Sequence, residues 1–582
     1  MASSLFLLVL TVCIFSVSAD VFVSIDCGSS DTYTDENLIQ WTEDDLYIDN
    51  GENQVVQAAN SISRVMDTLR VFNSRKKNCY LIRSVRSGRV LVRASFYYGN
   101  YDKKSSPPTF DLQFDGNYWL TVETSSTDYV YYEAIYVVKK NYISVCVAQT
   151  KPNQFPFISA LEVRGLESYM YNYIDNNYPL FLVKRIAYGA NATVRYTDDL
   201  YDRIWTPVTA GKGLTEVKSD AFFSAPGIAD NPPPAVLLNA VTATDPSSSI
   251  LLNMGFPRVE IPVYLNWYFS EVTQLEANET RSFMIYKDGQ PLSRAILPPY
   301  GNFTEWYASN YTVSSNTTFS LVPTENSTLP PLINAMEVFL IGDALTDGTN
   351  SKDVKGLVSL QNAFEDLQDW SGDPCLPAPY TWDWINCSND ATPRVTALYL
   401  GSFSLSGPIP DFGSMDALET IDLHNNSLYG TIPDFLGTFP YLKELNLADN
   451  QFTGFIPASL SKKNDLKLGV TGNPDLCTSG KSCQLTDDPT VYSSRSKKKK
   501  KNKLPVILGT TIPIFVVIWA IVGVYIILQN RRKTAAIAVL NPGQNGGVQM
   551  NEMKVNMEEQ ESNVDQTYRQ KHSNEHQDRD LY

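Results

Sequence analysis

Alternating apolar and polar positions dominate the region before residue 346. Short runs rich in Val, Tyr and Phe, such as residues 92–98 and 263–269, are bounded by clusters of Gly, Pro and Asp. Runs of this kind predict β-strands, and many of them at short spacing predict a sandwich or a jelly roll. The pattern therefore predicts a mainly β fold for this region.

The same strand pattern occurs twice. Residues 110–116 match residues 283–289 as an alternating run, each ending in an Asp-Gly pair. Further along, residues 158–163 match residues 333–338 at nearly the same offset. Near-equal offsets at separate places indicate a duplicated domain. We therefore predict two tandem β-sandwich lobes, over residues 20–180 and 181–345.

A second periodicity occupies residues 394–473. Leu-x-Leu or Ile-x-Leu pairs recur at near-constant spacing from Leu398, Ile421 and Leu445, each followed by Gly and Ile-Pro, and a degenerate fourth copy ends the series. This spacing is typical of leucine-rich repeats, in which each turn buries its leucines only against its neighbours. We predict a linker and N-terminal cap over residues 346–393, and repeats with a C-terminal cap over residues 394–485.

One polar position of each repeat has a structural role. Asn426 and Asn450 stand where the repeat needs a side chain that hydrogen-bonds the backbone of the turn. Phe403 replaces that Asn in the first copy, so the ideal turn geometry is not expected there.

Some strand positions of these repeats should point to the concave side of the solenoid, where such repeats bind peptides or partner proteins. With so few turns the concave face is small, so a partner held by it alone would bury less than the roughly 800 Å² per side of a standard interface. The predicted concave-face contacts are Glu419, Asp422, His424, Lys443, Glu444 and Asn446.

Two continuous apolar runs indicate export and membrane anchoring. The first has about a dozen residues, too few to cross a bilayer of roughly 30 Å, and ends in Val-Ser-Ala, so we predict a cleaved signal peptide over residues 1–19. The second, residues 504–528, has no charged residue and is long enough for a transmembrane helix. A basic juxtamembrane linker (486–503) precedes it, and a polar, disordered cytoplasmic tail (529–582) follows it.

The charges beside the predicted helix disagree with the simplest topology rule. Six lysines at 497–501 and 503 precede the helix and three basic residues follow it, so the positive-inside rule would place the large N-terminal part in the cytosol. The signal peptide, the glycosylation sequons and the cysteines all favour the opposite orientation. We predict a single-pass plasma-membrane protein with its N-terminus outside the cell.

All eight Asn-x-Ser/Thr sequons precede the predicted helix. Only the lumenal side of a membrane meets the glycosylation machinery, so this distribution indicates an exported glycoprotein. The candidate glycosylation sites are Asn191, Asn278, Asn302, Asn310, Asn316, Asn326, Asn386 and Asn425.

Seven cysteines remain once the signal peptide is removed, and export favours disulfides. Short spacings suggest the pairs Cys375–Cys387 and Cys477–Cys483 at the two ends of the repeats. Three cysteines are left, and one of them is then unpaired or intermolecular; the sequence leaves open whether it is Cys27, Cys79 or Cys146. Zinc is disfavoured because no Cys-x-x-Cys exists and His424 is the single histidine before the predicted helix.

Several motifs carry a family resemblance. Ile25-Asp26-Cys27-Gly28, the Tyr-Tyr-Gly-Asn-Tyr-Asp run at 97–102 and the twin Ala-Leu/Met-Glu-Val strands together resemble the plant malectin-like domain over roughly residues 20–345. The resemblance implies two β-sandwich lobes. In the family's animal namesake one lobe binds a glucose disaccharide through aromatic and acidic side chains, although no residue here maps onto that sugar site.

The repeat region extends the resemblance. Its spacing resembles the plant extracellular subclass of leucine-rich repeats, and residues 370–375 resemble the Gly-Asp-Pro-Cys segment that joins the two domain types in symbiosis-type receptor kinases. In that family the segment is linked to release of the ectodomain, so cleavage near residues 372–375 is implied by the resemblance. The alternative is a turn with a capping disulfide.

Composition and the missing motifs narrow the function. A net charge of −16 argues against a nucleic-acid partner. The stretch from Gln529 to Tyr582 contains no Gly-x-Gly-x-x-Gly loop and no His-Arg-Asp loop, so we expect no kinase activity in this chain, and we expect no cofactor or metal site.

The predicted function is a receptor-like protein without a kinase domain. We expect it to bind an extracellular carbohydrate or secreted peptide and to signal through a partner kinase in the membrane. One alternative is a shortened form of a longer receptor kinase. Another is a cell-surface glycosidase, although no spacing singles out two carboxylates for that chemistry.

Overall fold

The structure is a computed structural model that describes residues 21–477, apart from residues 84, 86–87 and 224–229. The described residues belong to one compact unit. Among them, no helix has both the length and the apolar character needed to cross a membrane. The predicted signal peptide, basic linker, transmembrane helix and cytoplasmic tail, together with Cys483, lie outside the described residues.

Most of the described chain is β structure. Short 3₁₀ turns occur at Ala58–Asn60 and Arg64–Met66, and helix α1 spans Pro234–Leu237. The strands of the first half are β1 (Phe22–Asp26), β2 (Tyr33–Thr34), β3 (Gln40–Trp41), β4 (Glu52–Val55), β5 (Thr68–Val71), β6 (Lys77–Ile82), β7 (Gly88–Phe96), β8 (Thr109–Phe114), β9 (Asn117–Glu123), β10 (Val130–Val138), β11 (Ile143–Gln149), β12 (Phe157–Ile158) and β13 (Ala160–Gly165). The strands of the second half are β14 (Leu180–Tyr188), β15 (Thr206–Val208), β16 (Leu214–Lys218), β17 (Asn239–Ala243), β18 (Ile250–Leu252), β19 (Ile261–Phe269), β20 (Phe283–Lys287), β21 (Gln290–Pro291), β22 (Thr304–Val313), β23 (Phe319–Pro323), β24 (Leu332–Ile333) and β25 (Ala335–Ile341).

One nine-stranded sheet runs through both halves, in the order β1-β13-β7-β10-β14-β25-β19-β22, with β15 beside β14. Its last four strands repeat the order of its first four. Two smaller sheets are repeated as well, since β6-β11-β8-β9 is matched by β18-β23-β20-β21, and β12-β5-β4 is matched by β24-β17-β16. The mainly β class is confirmed. Because the large sheet is continuous, the division into two lobes stays a prediction.

The alternating pattern explains how the sheets pack. Every second residue of β7 and β19 enters an apolar core shared with the smaller four-stranded sheet of the same half. Full burial of such a side chain stabilises the fold by about 1.5–3 kcal/mol. The inward residues are Val90, Val92, Ala94 and Phe96 in β7, and Val263, Leu265, Trp267 and Phe269 in β19.

Buried charges hold the two halves together. Arg185 of β14 lies between Glu133 of β10 and Glu337 of β25, with N–O distances of 2.6 Å to each carboxylate. Burial alone would raise the pKa of Glu133, but Arg185 and Arg93 outweigh it and hold that pKa below its ordinary value. Removing one partner of such a buried pair costs about 3–5 kcal/mol. These pairs therefore fix β10, β14 and β25 relative to one another.

The repeat region forms a short solenoid. Helix α2 (Ser351–Ala363) and a 3₁₀ turn (Glu365–Leu367) precede it, whereas a 3₁₀ turn (Asp434–Gly437) and helix α3 (Ala458–Ser461) lie within it. One sheet has the order β26-β27-β29-β31-β33 and the other β28-β30-β32-β34, with the repeat strands parallel. The strands are β26 (Ile385–Cys387), β27 (Val395–Tyr399), β28 (Ser406–Gly407), β29 (Thr420–Asp422), β30 (Ser427–Thr431), β31 (Glu444–Asn446), β32 (Gln451–Phe455), β33 (Lys467–Gly469) and β34 (Leu476–Cys477).

A ladder of asparagines supports the turns of the solenoid. The side-chain amide of Asn450 donates to the backbone oxygens of Leu423 (2.9 Å) and Ala448 (3.0 Å), and its oxygen accepts from the backbone N–H of Leu428 (3.0 Å). Asn426 makes equivalent bonds one turn earlier. The hydrogen-bonding role predicted for this position is therefore present in the fold.

The Gly-Asp-Pro-Cys segment lies between the β region and the repeats. The ammonium group of Lys77 donates to the backbone oxygen of Asp373 at 2.7 Å. Burial lowers the pKa of Lys77 to about 8, although Asp373 partly offsets that effect. A Cβ on Gly372 would overlap the Sγ atom of Cys79 and stand 3.0 Å from that of Cys146. The segment is thus a close-packed junction that fixes the repeats against β6 and β11.

The cysteines divide into bonded and free groups. A disulfide joins Cys375 to Cys387, which is one of the two pairs that the spacing suggests, and a second joins Cys79 to Cys146. Cys477 is also disulfide-bonded. Cys27 is the free, buried cysteine of the described chain, which answers the question that the sequence left open.

Candidate functional site

A cleft of about 740 Å³ opens where the two halves of the β region meet. One wall comes from the β8–β9 turn and from β9, and further lining comes from β10, β14, the segment before β14 and the end of β25. The lining residues are Gly116, Asn117, Tyr118, Trp119, Leu120, Tyr132, Glu133, Ile174, Asp175, Tyr178, Pro179, Phe181, Leu182, Pro262, Asn310, Leu340, Ile341, Gly342, Asp343 and Ala344.

Aromatic rings form the apolar part of this cleft. The rings of Trp119 and Phe181 stack with their centroids 6.1 Å apart and an interplanar angle of 19°. Trp119 is only 4% exposed, and its indole N–H has no hydrogen-bond partner in the described part of the chain. Tyr178, by contrast, is 39% exposed. The cleft therefore combines a rigid aromatic wall with a ring that is free to contact a ligand.

The polar groups of the cleft are acidic or neutral. None of its lining residues is Lys or Arg. Glu133 is already neutralised by Arg93 and Arg185, so it offers little net charge to a ligand. The lining also contains the carboxylates of Asp175 and Asp343, whereas the side-chain amide of Asn117 is bonded to the backbone of Phe114 and Thr346. Such a site suits a neutral ligand that presents hydroxyl donors and apolar faces, and it disfavours an anion.

The turn that starts the β9 wall is held by a buried carboxylate. Asp115 and Gly116 both have positive φ (47° and 84°), as a two-residue hairpin between β8 and β9 requires. The carboxylate of Asp115 accepts from the backbone N–H of Ser144 (2.7 Å) and the hydroxyl of Tyr136 (3.0 Å). Burial raises the pKa of Asp115 to about 6. These bonds fix the direction in which β9 leaves the turn.

The sequon asparagines all lie at the surface. Each of the eight is exposed in the fold. Asn310 differs from the others because it is one of the residues that line the cleft. It has a φ of 62° and lies where the pairing of β22 with β19 is irregular, opposite Val263 and Tyr264. Glycosylation of these sites stays a prediction.

The predicted concave-face residues of the repeats lie on β29 and β31 or directly beside them. Asp422 and Asn446 are neighbours in the parallel pairing of these strands. Because the charged residues here pair with one another at the surface, each pair contributes at most about 1 kcal/mol. The ion pairs are Glu419 with Lys443 (2.5 Å) and Glu444 with Lys467 (2.7 Å), and Nδ1 of His424 lies within hydrogen-bond distance of Asp422 Oδ1 (2.7 Å). The binding role of this face stays a prediction.

The described residues also contain no group of three or more His, Cys, Asp or Glu side chains arranged to hold a metal ion.

No pattern in the sequence indicates the cleft. Trp119, Tyr178 and Phe181 lie in runs that look like ordinary strand or loop, and only the fold brings them together.

Comparison with known proteins identifies the family. Residues 25–341 match the malectin-like domain, which is more than half of the chain. The chain belongs to the malectin-like family. Within the repeats, residues 417–439 and 441–462 match the leucine-rich repeat.

Relatives of this malectin-like protein occur in Arabidopsis thaliana. A probable LRR receptor-like serine/threonine-protein kinase is 33% identical over 70% of this chain and 49% of its own length. An uncharacterised protein is 34% identical over 60% of this chain and 70% of its own length. The malectin-like chain spans about half the length of several of the curated receptor-like kinases it matches.

Solved extracellular domains are also similar to part of the chain. The ANXUR2 extracellular domain from Arabidopsis thaliana is 16% identical and covers 56% of this chain and 97% of its own, with a TM-score of 0.47.

Proposed function

We propose that this chain is a single-pass receptor-like protein whose extracellular part binds a ligand and signals through a partner kinase. In this proposal residues 1–19 are removed, residues 504–528 cross the plasma membrane, and the tail from residue 529 lies in the cytosol. The disulfides, the eight exposed sequons and the receptor-like kinases among the relatives support it.

We further propose that residues 20–180 and 181–345 are two lobes that arose by duplication. The repeated strand order of the large and small sheets supports this division. Both halves also have an Asp-Gly hairpin turn with two positive φ angles, at Asp115-Gly116 and at Asp288-Gly289. The cleft would then be a site between lobes, where ligand pockets commonly form.

The proposed ligand is a neutral extracellular oligosaccharide bound in the cleft. The observation that carries this proposal is a 740 Å³ aromatic cleft with carboxylates and amides but no basic side chain. Rings of Trp and Tyr pack on the apolar faces of sugars, while Asp and Asn accept and donate hydrogen bonds to hydroxyl groups. The self-paired charges of the repeat surface offer less to a ligand, so we assign that surface to a partner kinase or a secreted peptide.

A glycan array tests the ligand class. We expect the intact chain, purified in detergent, to bind neutral oligosaccharides and to leave uronic-acid oligomers unbound. Tyr178→Ala should weaken binding about tenfold, a loss of about 1.4 kcal/mol, because it removes an exposed ring of the cleft. Tyr429→Ala is the matched control, since Tyr429 is a half-exposed ring of the repeats. Binding of secreted peptides alone, or an equal effect of both variants, would refute the sugar assignment.

Co-purification tests the signalling role. The intact chain, cross-linked at the plasma membrane, should retain a membrane kinase. Charge reversal at the repeat surface by Lys443→Glu should weaken that association without changing binding of oligosaccharide. Retention of no kinase would remove the signalling part of the proposal and leave the ligand-binding part standing.

A further inference from the structure

Asn310 combines a modification signal with a place in the cleft. Its sequon is Asn310-Tyr311-Thr312, and the seven other sequon asparagines are absent from the cleft lining. Asn310 and Tyr311 are both exposed and lie on β22, the last strand of the large sheet. A glycan attached to Asn310 therefore starts at the cleft, whereas glycans at the other seven sites start outside it.

We propose that the N-linked glycan of Asn310 lies in the cleft and acts as a tethered occupant that competes with free ligand. This inference rests on the proposed function, since docking of the glycan requires that the chain be exported and glycosylated, and competition requires that the cleft bind free oligosaccharide. It adds that the cleft is regulated by its own modification, because any free oligosaccharide has to displace the tethered one.

The chemistry of the glycan fits the cleft. The first two sugars of an N-linked glycan are N-acetylglucosamines, which are neutral and present apolar faces, hydroxyl groups and an acetamide. The lining offers rings such as Tyr178 and Phe181 for the apolar faces, and the carboxylate of Asp175 for the hydroxyl groups. Because the lining has no Lys or Arg, no charged partner is left unpaired when a neutral sugar enters.

Tethering makes a weak contact sufficient. A ligand joined by a short linker has an effective concentration in the millimolar range at its site. A sugar that binds with a millimolar dissociation constant therefore occupies the cleft for much of the time when it is attached at Asn310. Free ligand of similar affinity then binds several-fold more weakly to the glycosylated chain than to a chain that lacks this glycan.

Release of the glycans under native conditions is the first test. The intact folded chain is treated with peptide-N-glycosidase, and mass spectrometry follows the release at each sequon. The glycan at Asn310 should be released about tenfold more slowly than the one at Asn278. This ratio corresponds to a docking free energy of about 1.4 kcal/mol. Asn278 is exposed and outside the cleft. Tyr178→Ala should speed release at Asn310 and leave release at Asn278 unchanged. An unmodified Asn310, or equal release at the two sites in both proteins, overturns the inference.

Binding of a defined probe is the second test. Thr312→Ala removes the sequon but keeps Asn310, and Asn278→Gln removes a sequon elsewhere. N,N′-diacetylchitobiose should bind the Thr312→Ala chain several-fold more tightly than the unaltered chain, and Asn278→Gln should bind it like the unaltered chain. Equal affinity for all three proteins overturns the inference even if other oligosaccharides bind, which leaves the proposed function intact. Protection of the Asn310 glycan in a protein that binds no free oligosaccharide, even as the Thr312→Ala chain, supports docking of the glycan in the cleft and refutes both the competition and the proposed ligand class.

Discussion

At the scale of single residues, Gly372 is a position with little tolerance for change. Two features separately disfavour a side chain at this position, its φ of 77° and its contact with the Cys79–Cys146 disulfide. Gly213 has a similar φ of 79° but open space around it, so it serves as the control. Gly213→Ala should cost about 1–2 kcal/mol, the penalty of a left-handed conformation. We expect Gly372→Ala to cost roughly a further 1–3 kcal/mol, because the added methyl group overpacks the junction.

Urea unfolding of the intact chain measures this difference. Three tryptophan rings, Trp370, Trp382 and Trp384, cluster beside the junction, so their fluorescence reports its opening. Equal loss of stability in the two variants would show that the segment is loosely packed and that the repeats are not fixed through it.

The cysteines show why residue partners are hard to predict. Cys79 and Cys146 are far apart in the sequence, and they meet because β6 and β11 pair with these two residues opposite each other. Cys27 comes directly after β1, and the partner strand of β1, β13, contains no cysteine. Register between distant strands decides the pairing, and no local pattern encodes that register.

At the scale of elements, the asparagine ladder should set the stability of the solenoid. Asn450 is 4% exposed and saturates its side-chain amide with backbone groups, so Asn450→Ala leaves buried polar groups without partners. We expect a loss of about 3 kcal/mol. The side-chain oxygen of Asn446, at the end of β31, accepts one long hydrogen bond of 3.3 Å from the backbone N–H of Ala448. Asn446→Ala should therefore cost about 1 kcal/mol or less, the net contribution of one hydrogen bond.

Hydrogen exchange of the intact chain distinguishes the two variants. In Asn450→Ala the amide of Leu428, which donates to Asn450, should exchange faster than in the unaltered chain. Faster exchange throughout the β region would instead indicate global destabilisation and would contradict a local role for the ladder.

Elements whose pattern is local could be predicted from the sequence. The repeats follow from the spacing of Leu, Asn and Gly, and β7 and β19 follow from alternation, because each side chain's environment is set by its neighbours along the chain. The cleft could not be predicted. Trp119 and Phe181 lie on the separate strands β9 and β14, far apart in the sequence, and an aromatic that lines a cleft has the same local pattern as one that fills a core.

The whole molecule should be more stable at pH 5 than at pH 7. Burial raises the pKa of both Asp26 and Asp115 to about 6, and burial beside Asp230 raises that of Glu305 further, to about 9. In the unfolded chain these carboxyls titrate near pH 4. Folding therefore takes up protons above pH 4, and stability falls as the pH rises from 5 towards 7. For Asp26 and Asp115 the loss is nearly complete at pH 7, one pH unit above their folded pKa, and it amounts to about 1.3 kcal/mol for each carboxyl between pH 5 and pH 7.

Thermal unfolding at pH 5, 6 and 7 tests this linkage, and one substitution isolates a single group. Asp26 accepts from the hydroxyl of Thr68 through Oδ1 (2.6 Å) and from that of Tyr33 through Oδ2 (2.8 Å). In Asn the amide oxygen can accept one of these bonds, and the amide N–H can donate to the other hydroxyl. Asp26→Asn should therefore fold, and its loss of stability between pH 5 and pH 7 should be smaller by the contribution of one carboxyl. Asp31→Asn, at the surface, should lose as much stability over this pH range as the unaltered chain. A chain that is more stable at pH 7 than at pH 5 would contradict this prediction, because carboxylates paired with arginine, such as Asp202, have a lowered pKa and change stability only below about pH 4.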